Sequence, residues 1–268
     1  MKVAAIQMVS GIRLEDNLTQ ARGLLEQARD AGAELAVLPE YFCFMGRQDA
    51  DKLLIAETPG NGPIQDFLGR SAAELGLWIV GGTLPMTTED PAHVANASLV
   101  YDPRGRVVAR YDKIHLFRYD NGRERYDEAA VLAAGDRPTA FELHDACGNL
   151  WRVGLSVCYD LRFPELYRQL GADLLLVPAA FTHTTGQAHW EVLLRARAIE
   201  NQAYVLASAQ GGNHENGRRT WGQSMVIDPW GVVLAQRASG AGVVVADIDM
   251  NRLRQVRQQL PALQHRRL

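Results

Sequence analysis

The sequence predicts an α/β protein, a four-layer α-β-β-α sandwich built from two similar halves. Three observations support this fold class: strands alternate with helices, segments of the first half recur in the second, and each half closes with a hairpin. Such alternation forms a mixed sheet with helices on one face, and two such sheets can bury their free faces against each other. One continuous doubly wound sheet is the alternative that the pattern leaves open.

The elements of the first half follow from apolar periodicity and from helix-end residues. Helical segments show apolar residues at i, i+3, i+4 and i+7, whereas the predicted strands are short apolar runs. Gly32 and Gly76 end the two helices, and Pro63 opens the second. In order, we predict a strand at 3–8, a helix at 14–31, a strand at 35–38, a helix at 63–75, a strand at 77–82 and a hairpin of 97–101 with 106–110.

Two segments of the first half recur in the second half in the same order. Residues 32–42 match residues 171–181, and residues 98–105 match residues 224–231. The spacing is far longer than a solenoid repeat, so it indicates one duplication rather than an array.

The second half contains the same kinds of elements. Its predicted elements are a strand at 151–157, a helix at 165–170 begun by Pro164, a helix at 189–201 and a strand at 204–209. We therefore expect one domain over 1–268, with halves at 1–113 and 151–236 and a C-terminal tail at 237–268.

Three reactive side chains are predicted at the carboxyl ends of strands, where α/β proteins place their sites. Glu40 follows the second strand, Lys113 follows the first hairpin, and Cys158 lies on a strand-to-helix elbow. The second half has Ala179 where the first has Glu40, which suggests a site built once, between the halves.

Together these three side chains suit attack on an amide carbonyl. Cys158 supplies the nucleophilic sulfur, and a nearby Lys113 ammonium is expected to lower the thiol pKa and to hold developing negative charge. Glu40 is expected to accept the thiol proton, pass it to the leaving amine and then activate water against the thioester.

Three ordered motifs carry a family resemblance. Leu38-Pro-Glu-Tyr, Tyr111-Asp-Lys-Ile-His-Leu-Phe and Gly154-Leu-Ser-Val-Cys-Tyr-Asp-Leu-Arg-Phe-Pro-Glu resemble the signatures of the nitrilase superfamily of carbon–nitrogen hydrolases. The resemblance implies the four-layer sandwich and a catalytic Glu40–Lys113–Cys158 triad.

The same resemblance implies further site residues. A second catalytic glutamate is matched best by Glu128, with its neighbour Asp127 as the alternative, and its expected role is to position Lys113 or the substrate. We assign the oxyanion hole to Lys113 and Tyr159.

The segment from Cys158 to Glu165, the segment 189–198 and the tail 260–267 resemble the amidase branch that acts on deaminated glutathione and on ω-amides. This implies cleavage of deaminated glutathione to 2-oxoglutarate and cysteinyl-glycine. The alternatives are α-ketoglutaramate, N-carbamoyl amides or nitriles, and a catalytically silent interaction protein. Arg162 is expected either to bind the substrate carboxylate or to pair with Asp160 or Glu165.

Composition excludes several function classes. The chain has 268 residues with a net charge of −3, so neither nucleic acid nor a membrane is an expected partner. Its apolar runs have strand length, and its N-terminus lacks the features of a signal peptide. Three cysteines, an odd number, indicate free thiols and a cytoplasmic location.

Two alternative kinds of site fit the sequence less well. A zinc site from His183 and His189 lacks a standard ligand spacing, and a Cys–His hydrolase using His115 or His183 leaves Glu40 and Lys113 unexplained. We therefore expect a small-molecule amide substrate with no metal and no cofactor. The family resemblance also implies a homodimer or a higher homo-oligomer.

Overall fold

The computed structural model describes residues 1–267, and in these residues sixteen strands and five α-helices are numbered in chain order. The helices are α1 (Leu14–Asp30), α2 (Pro63–Leu75), α3 (Pro164–Leu170), α4 (His183–Asn201) and α5 (Met250–Gln259). The strands are β1 (Lys2–Gln7), β2 (Leu35–Val37), β3 (Trp78–Val80), β4 (Leu84–Thr87), β5 (Val94–Tyr101), β6 (Val107–Asp112), β7 (Arg118–Asp120), β8 (Arg125–Asp127), β9 (Leu132–Ala133), β10 (Ala140–His144), β11 (Leu150–Leu155), β12 (Leu174–Ala179), β13 (Tyr204–Ala209), β14 (Ser224–Ile227), β15 (Val233–Arg237) and β16 (Gly242–Asp247). None of the helices in this part of the chain has the length and apolar character needed to span a bilayer.

Two mixed sheets correspond to the two halves. The first has the order β16-β1-β2-β3-β5-β4, with β6 and β9 along the other edge of β5. The second has the order β10-β11-β12-β13-β14-β15, and in it β11, β12 and β13 run parallel. In the first sheet β1, β2 and β3 are likewise parallel, so each half places three parallel strands beside an antiparallel hairpin.

Alternation along β1 shows how the layers are stacked. Val3 and Ala5 pack in one core cluster with Val153 of the second sheet, whereas Ala4 and Ile6 pack in another cluster with residues of α1 and α2. Successive side chains of a strand point to opposite faces, so one face of the first sheet meets the second sheet and the other meets the helices. On the far side, α3 contacts β11 and α4 contacts β13. The four-layer sandwich predicted from the sequence is confirmed.

Several elements differ from their sequence predictions. The sequence predicts a C-terminal tail at 237–268, but β16 pairs antiparallel with β1, from Lys2 opposite Asp247 to Gln7 opposite Gly242. The C-terminal segment thus returns to complete the sheet of the first half. Helix α4 begins at His183 rather than at 189, because the Gly186 amide donates a helical hydrogen bond to the Thr182 carbonyl. This first part of the helix has no apolar periodicity, so the sequence pattern does not predict it.

Candidate active site

Cys158 lies on a sharp elbow between β11 and α3. The strand ends at Leu155, and a short 3₁₀ turn, Cys158–Arg162, precedes α3, which has Pro164 at its first position. Cys158 is buried and adopts a left-handed backbone conformation with φ 50°, which is rare outside glycine. Such a conformation costs free energy and persists only where the surroundings impose it.

Asp160 supplies that constraint. Its Oδ2 accepts bonds from the Val157 amide at 2.8 Å and from the Tyr111 hydroxyl at 2.6 Å, while its Oδ1 accepts the His115 amide at 3.1 Å. This buried carboxylate therefore ties the elbow to the segment that carries Lys113. No local sequence pattern encodes this role, and from the sequence Asp160 is expected only as a partner of Arg162.

Glu40 is buried at the end of β2 and joins the two halves. Its Oε1 accepts bonds from Lys113 Nζ and from Asn96 Nδ2, each at 2.9 Å. Its Oε2 accepts the amide of Ala180 at 2.8 Å, directly after β12, which is the strand of the second half that matches β2. The second half has no glutamate at the position that matches Glu40. Instead, the end of its strand donates a backbone amide to Glu40.

Lys113 follows β6 and lies between two carboxylates. Its Nζ contacts Glu40 and donates to Glu128 Oε1 at 3.0 Å and Oε2 at 2.8 Å. Burial acts to lower the pKa of Lys113, but the carboxylates of Glu128 and Glu40 raise it by more. The net pKa lies above its ordinary value, so the ammonium stays charged. Gly135 fits against the same segment, since a Cβ there would lie 2.2 Å from the Asp112 carbonyl oxygen.

Glu128 is also held from two other elements. Its Oε2 accepts the Phe117 amide at 2.7 Å, and its Oε1 accepts the Tyr41 hydroxyl at 3.1 Å. Asp127, the alternative second acid, instead lies 3.8 Å from Arg118 with 37% of its side chain exposed. Of the two neighbouring acids, Glu128 is the one that contacts Lys113.

The thiol pKa departs from the sequence-based expectation. Burial raises the pKa of the Cys158 thiol well above its ordinary value, Glu40 raises it further, and the lowering by Lys113 does not outweigh them. Lys113 thus acts in the expected direction on the Cys158 pKa, but burial and Glu40 outweigh it. Burial also acts to raise the pKa of Glu40, but there Lys113 prevails and lowers it. The resting pair is a neutral thiol beside a carboxylate base.

A small cavity opens at Cys158. Its lining residues are Phe117, Glu128, Cys158, Tyr159, Ala180, Phe181, Thr182, Thr185 and Arg218. No acceptor among residues 1–267 bonds the Tyr159 backbone N–H, which is one of the first amides of the 3₁₀ turn. Tyr159 follows Cys158 in the chain and lines the same cavity.

The two arginines near the cavity differ in position. Arg162, chosen from the sequence, does not line the cavity: its guanidinium lies 5.6 Å from the Tyr159 ring and 5.3 Å from the Phe181 ring, and its Nη1 lies 3.3 Å from His189 Nδ1. Neither Asp160 nor Glu165 pairs with it among residues 1–267. Arg218, which no sequence motif singles out, lines the cavity itself. Its position 60 residues along the chain from Cys158 gives no local signal.

The histidines are accounted for by other contacts. His115 Nδ1 lies 2.7 Å from Asp160 Oδ1, with its ring stacked on Phe163 at 3.7 Å. His183 packs edge-on against Trp221 at 5.0 Å. Within residues 1–267, no group of three His, Cys, Asp or Glu side chains is arranged to hold a metal ion.

Known proteins are similar to this chain in sequence and fold. The carbon-nitrogen hydrolase family model matches residues 2–258. A deaminated glutathione amidase from Synechocystis sp. is 45% identical over 269 residues, covering 98% of this chain and 97% of the relative. Both matches span nearly the whole chain, as the three sequence motifs imply.

Solved structures agree with this assignment. The Caenorhabditis elegans NitFhit protein has a TM-score of 0.90 at 39% identity, covering 99% of this chain and 65% of that one. Saccharomyces cerevisiae Nit3, a member of branch 10 of the nitrilase superfamily, has a TM-score of 0.89 at 27% identity, covering 100% and 97%. The nitrilase-superfamily resemblance is confirmed, and this chain belongs to the carbon–nitrogen hydrolase family, whose members hydrolyse carbon–nitrogen bonds other than peptide bonds.

Proposed function

We propose that this protein is a cysteine-dependent amidase that hydrolyses deaminated glutathione to 2-oxoglutarate and cysteinyl-glycine. The observation that carries the proposal is the buried Glu40–Lys113–Glu128 network beside Cys158. The substrate follows from the Synechocystis relative, which is a deaminated glutathione amidase.

Acylation begins with the neutral thiol and the Glu40 carboxylate. As the sulfur attacks the amide carbonyl, its proton passes to Glu40, so no free thiolate has to exist in the buried resting site. The oxyanion forms beside the Lys113 ammonium and the Tyr159 backbone N–H, which stabilise it. Collapse of the tetrahedral intermediate breaks the C–N bond, and Glu40 returns the proton to the departing amine. The acyl group remains on Cys158 as a thioester.

Deacylation uses the same groups in reverse order. Glu40, again a carboxylate, removes a proton from water as the water oxygen attacks the thioester carbonyl. The second oxyanion occupies the same donors, and its collapse releases the acid product while the sulfur regains a proton from Glu40. Glu128 acts throughout as a positioning residue, because its two oxygens hold the Lys113 ammonium next to Glu40.

A substrate panel tests the proposed function. Purified protein is incubated with deaminated glutathione, α-ketoglutaramate, an N-carbamoyl amino acid and an aliphatic nitrile, and amine or ammonia release is measured. We expect the highest kcat/KM with deaminated glutathione, by about tenfold or more over α-ketoglutaramate, since its larger leaving group adds binding energy. A preference for the nitrile or the carbamoyl compound would overturn the substrate, and no turnover by wild type would favour a silent interaction protein.

We further propose that the protein acts as a homo-oligomer, at least a dimer, in the cytoplasm. Large apolar side chains on α4 and the adjacent β14–β15 turn are exposed, among them Val192 at 69%, Ile199 at 50% and Trp230 at 53%. Neighbouring exposed apolar residues are typical of a surface covered by another subunit. Light scattering is expected to give a dimeric or larger mass, and Ile199→Glu to reduce it. A monomeric wild type would contradict the assembly, and cell fractionation tests the location.

A further inference from the structure

Arg218 carries a charge that the surrounding protein does not pair. Its guanidinium lines the cavity at Cys158, and Nη2 donates to the Ala180 carbonyl at 3.2 Å. Nε is buried and has no hydrogen-bond partner. No Asp or Glu carboxylate among residues 1–267 forms a salt bridge with this side chain.

A half-buried guanidinium with an enclosed, unbonded Nε and no carboxylate partner is unusual. Buried charges are ordinarily paired, and a buried donor without an acceptor costs free energy. Burial acts to lower the pKa of Arg218, but Tyr41, Glu40 and Glu128 raise it, so the group stays charged. The guanidinium also lies 5.3 Å from the Tyr126 ring, which does not satisfy Nε. These features are typical of a cationic side chain that binds an anionic ligand.

We propose that Arg218 binds a carboxylate at the far end of the substrate's acyl group and thereby selects monoamides of dicarboxylic acids. This inference deepens and rests on the amidase function proposed above. Cys158 and Arg218 line the same cavity, so an acyl chain whose carbonyl meets the sulfur can extend toward the guanidinium. Thr182 and Thr185 lie in the same wall, with their hydroxyls 2.7 Å apart, and offer further polar contacts.

Arg162 is the competing anchor. Its Nη1 already lies near His189, and its guanidinium faces the Tyr159 and Phe181 rings from outside the cavity lining. Of the two arginines, Arg218 is the one that has a buried, unsatisfied nitrogen and lines the cavity. The geometry therefore favours Arg218 as the residue that sets acyl specificity.

The alternative role for Arg218 is to bind a carboxylate on the leaving group rather than on the acyl group. Arg218 also lines a neighbouring cleft together with Arg47, Lys52 and Arg125, three further cations. If Arg218 acts from that cleft, it binds a carboxylate on the leaving group, whereas in the cavity beside Cys158 it binds one on the acyl group. The position of the carboxylate in the substrate thus distinguishes the two.

The experiment compares wild type with Arg218→Gln on three probes. α-Ketoglutaramate has a carboxylate on the acyl part, N-butanoylglycine has one only on the leaving part, and butanamide has none. Loss of a buried charge pair is expected to reduce kcat/KM for α-ketoglutaramate by roughly 10²-fold, mostly through KM. Butanamide is expected to change by less than about threefold, and Arg218→Lys to recover part of the loss as a cation without a planar fork.

Two matched variants act as controls. Arg219→Gln removes the exposed neighbouring charge, and Arg162→Gln removes the competing anchor. Neither is expected to alter the preference for acyl carboxylates. Equal losses on α-ketoglutaramate and butanamide, a loss confined to N-butanoylglycine, or a larger effect of Arg162→Gln would overturn the assignment.

A binding measurement separates this inference from the amidase proposal. Calorimetry with α-ketoglutaramate is performed on Cys158→Ala and on the Cys158→Ala, Arg218→Gln double variant, neither of which needs turnover. We expect about 10²-fold weaker binding in the double variant. If wild type hydrolyses no amide but this difference remains, the anion site stands without the proposed reaction. Equal affinities would refute the anion site even in an active amidase.

Discussion

Replacement of Cys158 with Ala is expected to abolish amide turnover and to leave the fold intact. The change removes the sulfur that forms the thioester, so kcat/KM is expected to fall by at least about 10⁴-fold. Ala adopts the backbone conformation of φ 50° at this position no less readily than Cys, so the elbow keeps its geometry. Amine release measures the loss, and circular dichroism with thermal unfolding measures the fold.

Intact-mass analysis supplies the complementary observation. Wild type quenched during turnover is expected to carry one acyl group, and Cys158→Ala none. Cys147→Ser is the matched control, because Cys147 is an exposed free thiol in the turn between β10 and β11. Appreciable activity in Cys158→Ala, or an acyl group retained on it, would show that another residue is the nucleophile.

Replacement of Glu40 with Gln is expected to slow both halves of the reaction. The amide keeps the size of the side chain but cannot take a proton from the thiol or from water, so each step loses at least about 10²-fold. Rapid-quench measurement of acyl-enzyme formation and decay resolves the two steps. Glu142→Gln, an exposed change on β10, is the control and is expected to be neutral.

The pH dependence of kcat/KM tests whether Glu40 is the base, separately from the size of the rate loss in Glu40→Gln. Glu40 has a lowered pKa, so it stays a carboxylate well into acid, and wild-type kcat/KM should fall only below the ordinary glutamate pKa. In Glu40→Gln that acid limb should vanish. The residual rate should rise with increasing pH, because the buried thiol with its raised pKa then ionises without help. A variant that keeps the wild-type acid limb would assign the base to another group.

The sequence predicted some features of the candidate site and not others. Glu40, Lys113 and Cys158 each follow a predicted strand or hairpin, and parallel strands end at one edge, so their proximity followed from order alone. The contact of Glu128 with Lys113 did not, because Asp127 is adjacent and only the turn over Glu128–Ala130 orients one of the two acids. The sign of the Cys158 pKa shift also depended on burial, which local sequence does not give.

By itself, the sequence predicted the four-layer class, the internal duplication and the three motif residues of the candidate site. These predictions rest on features that can be read along the chain without tertiary contacts: apolar period, helix-end residues, repeated segments and the order of motifs. Only the tertiary structure decided that β16 completes the first sheet, that Asp160 holds the elbow against the Lys113 segment, and that Arg218 rather than Arg162 lines the cavity. Each of these joins segments far apart in the chain, and packing of the whole sandwich, rather than local propensity, brings such segments together.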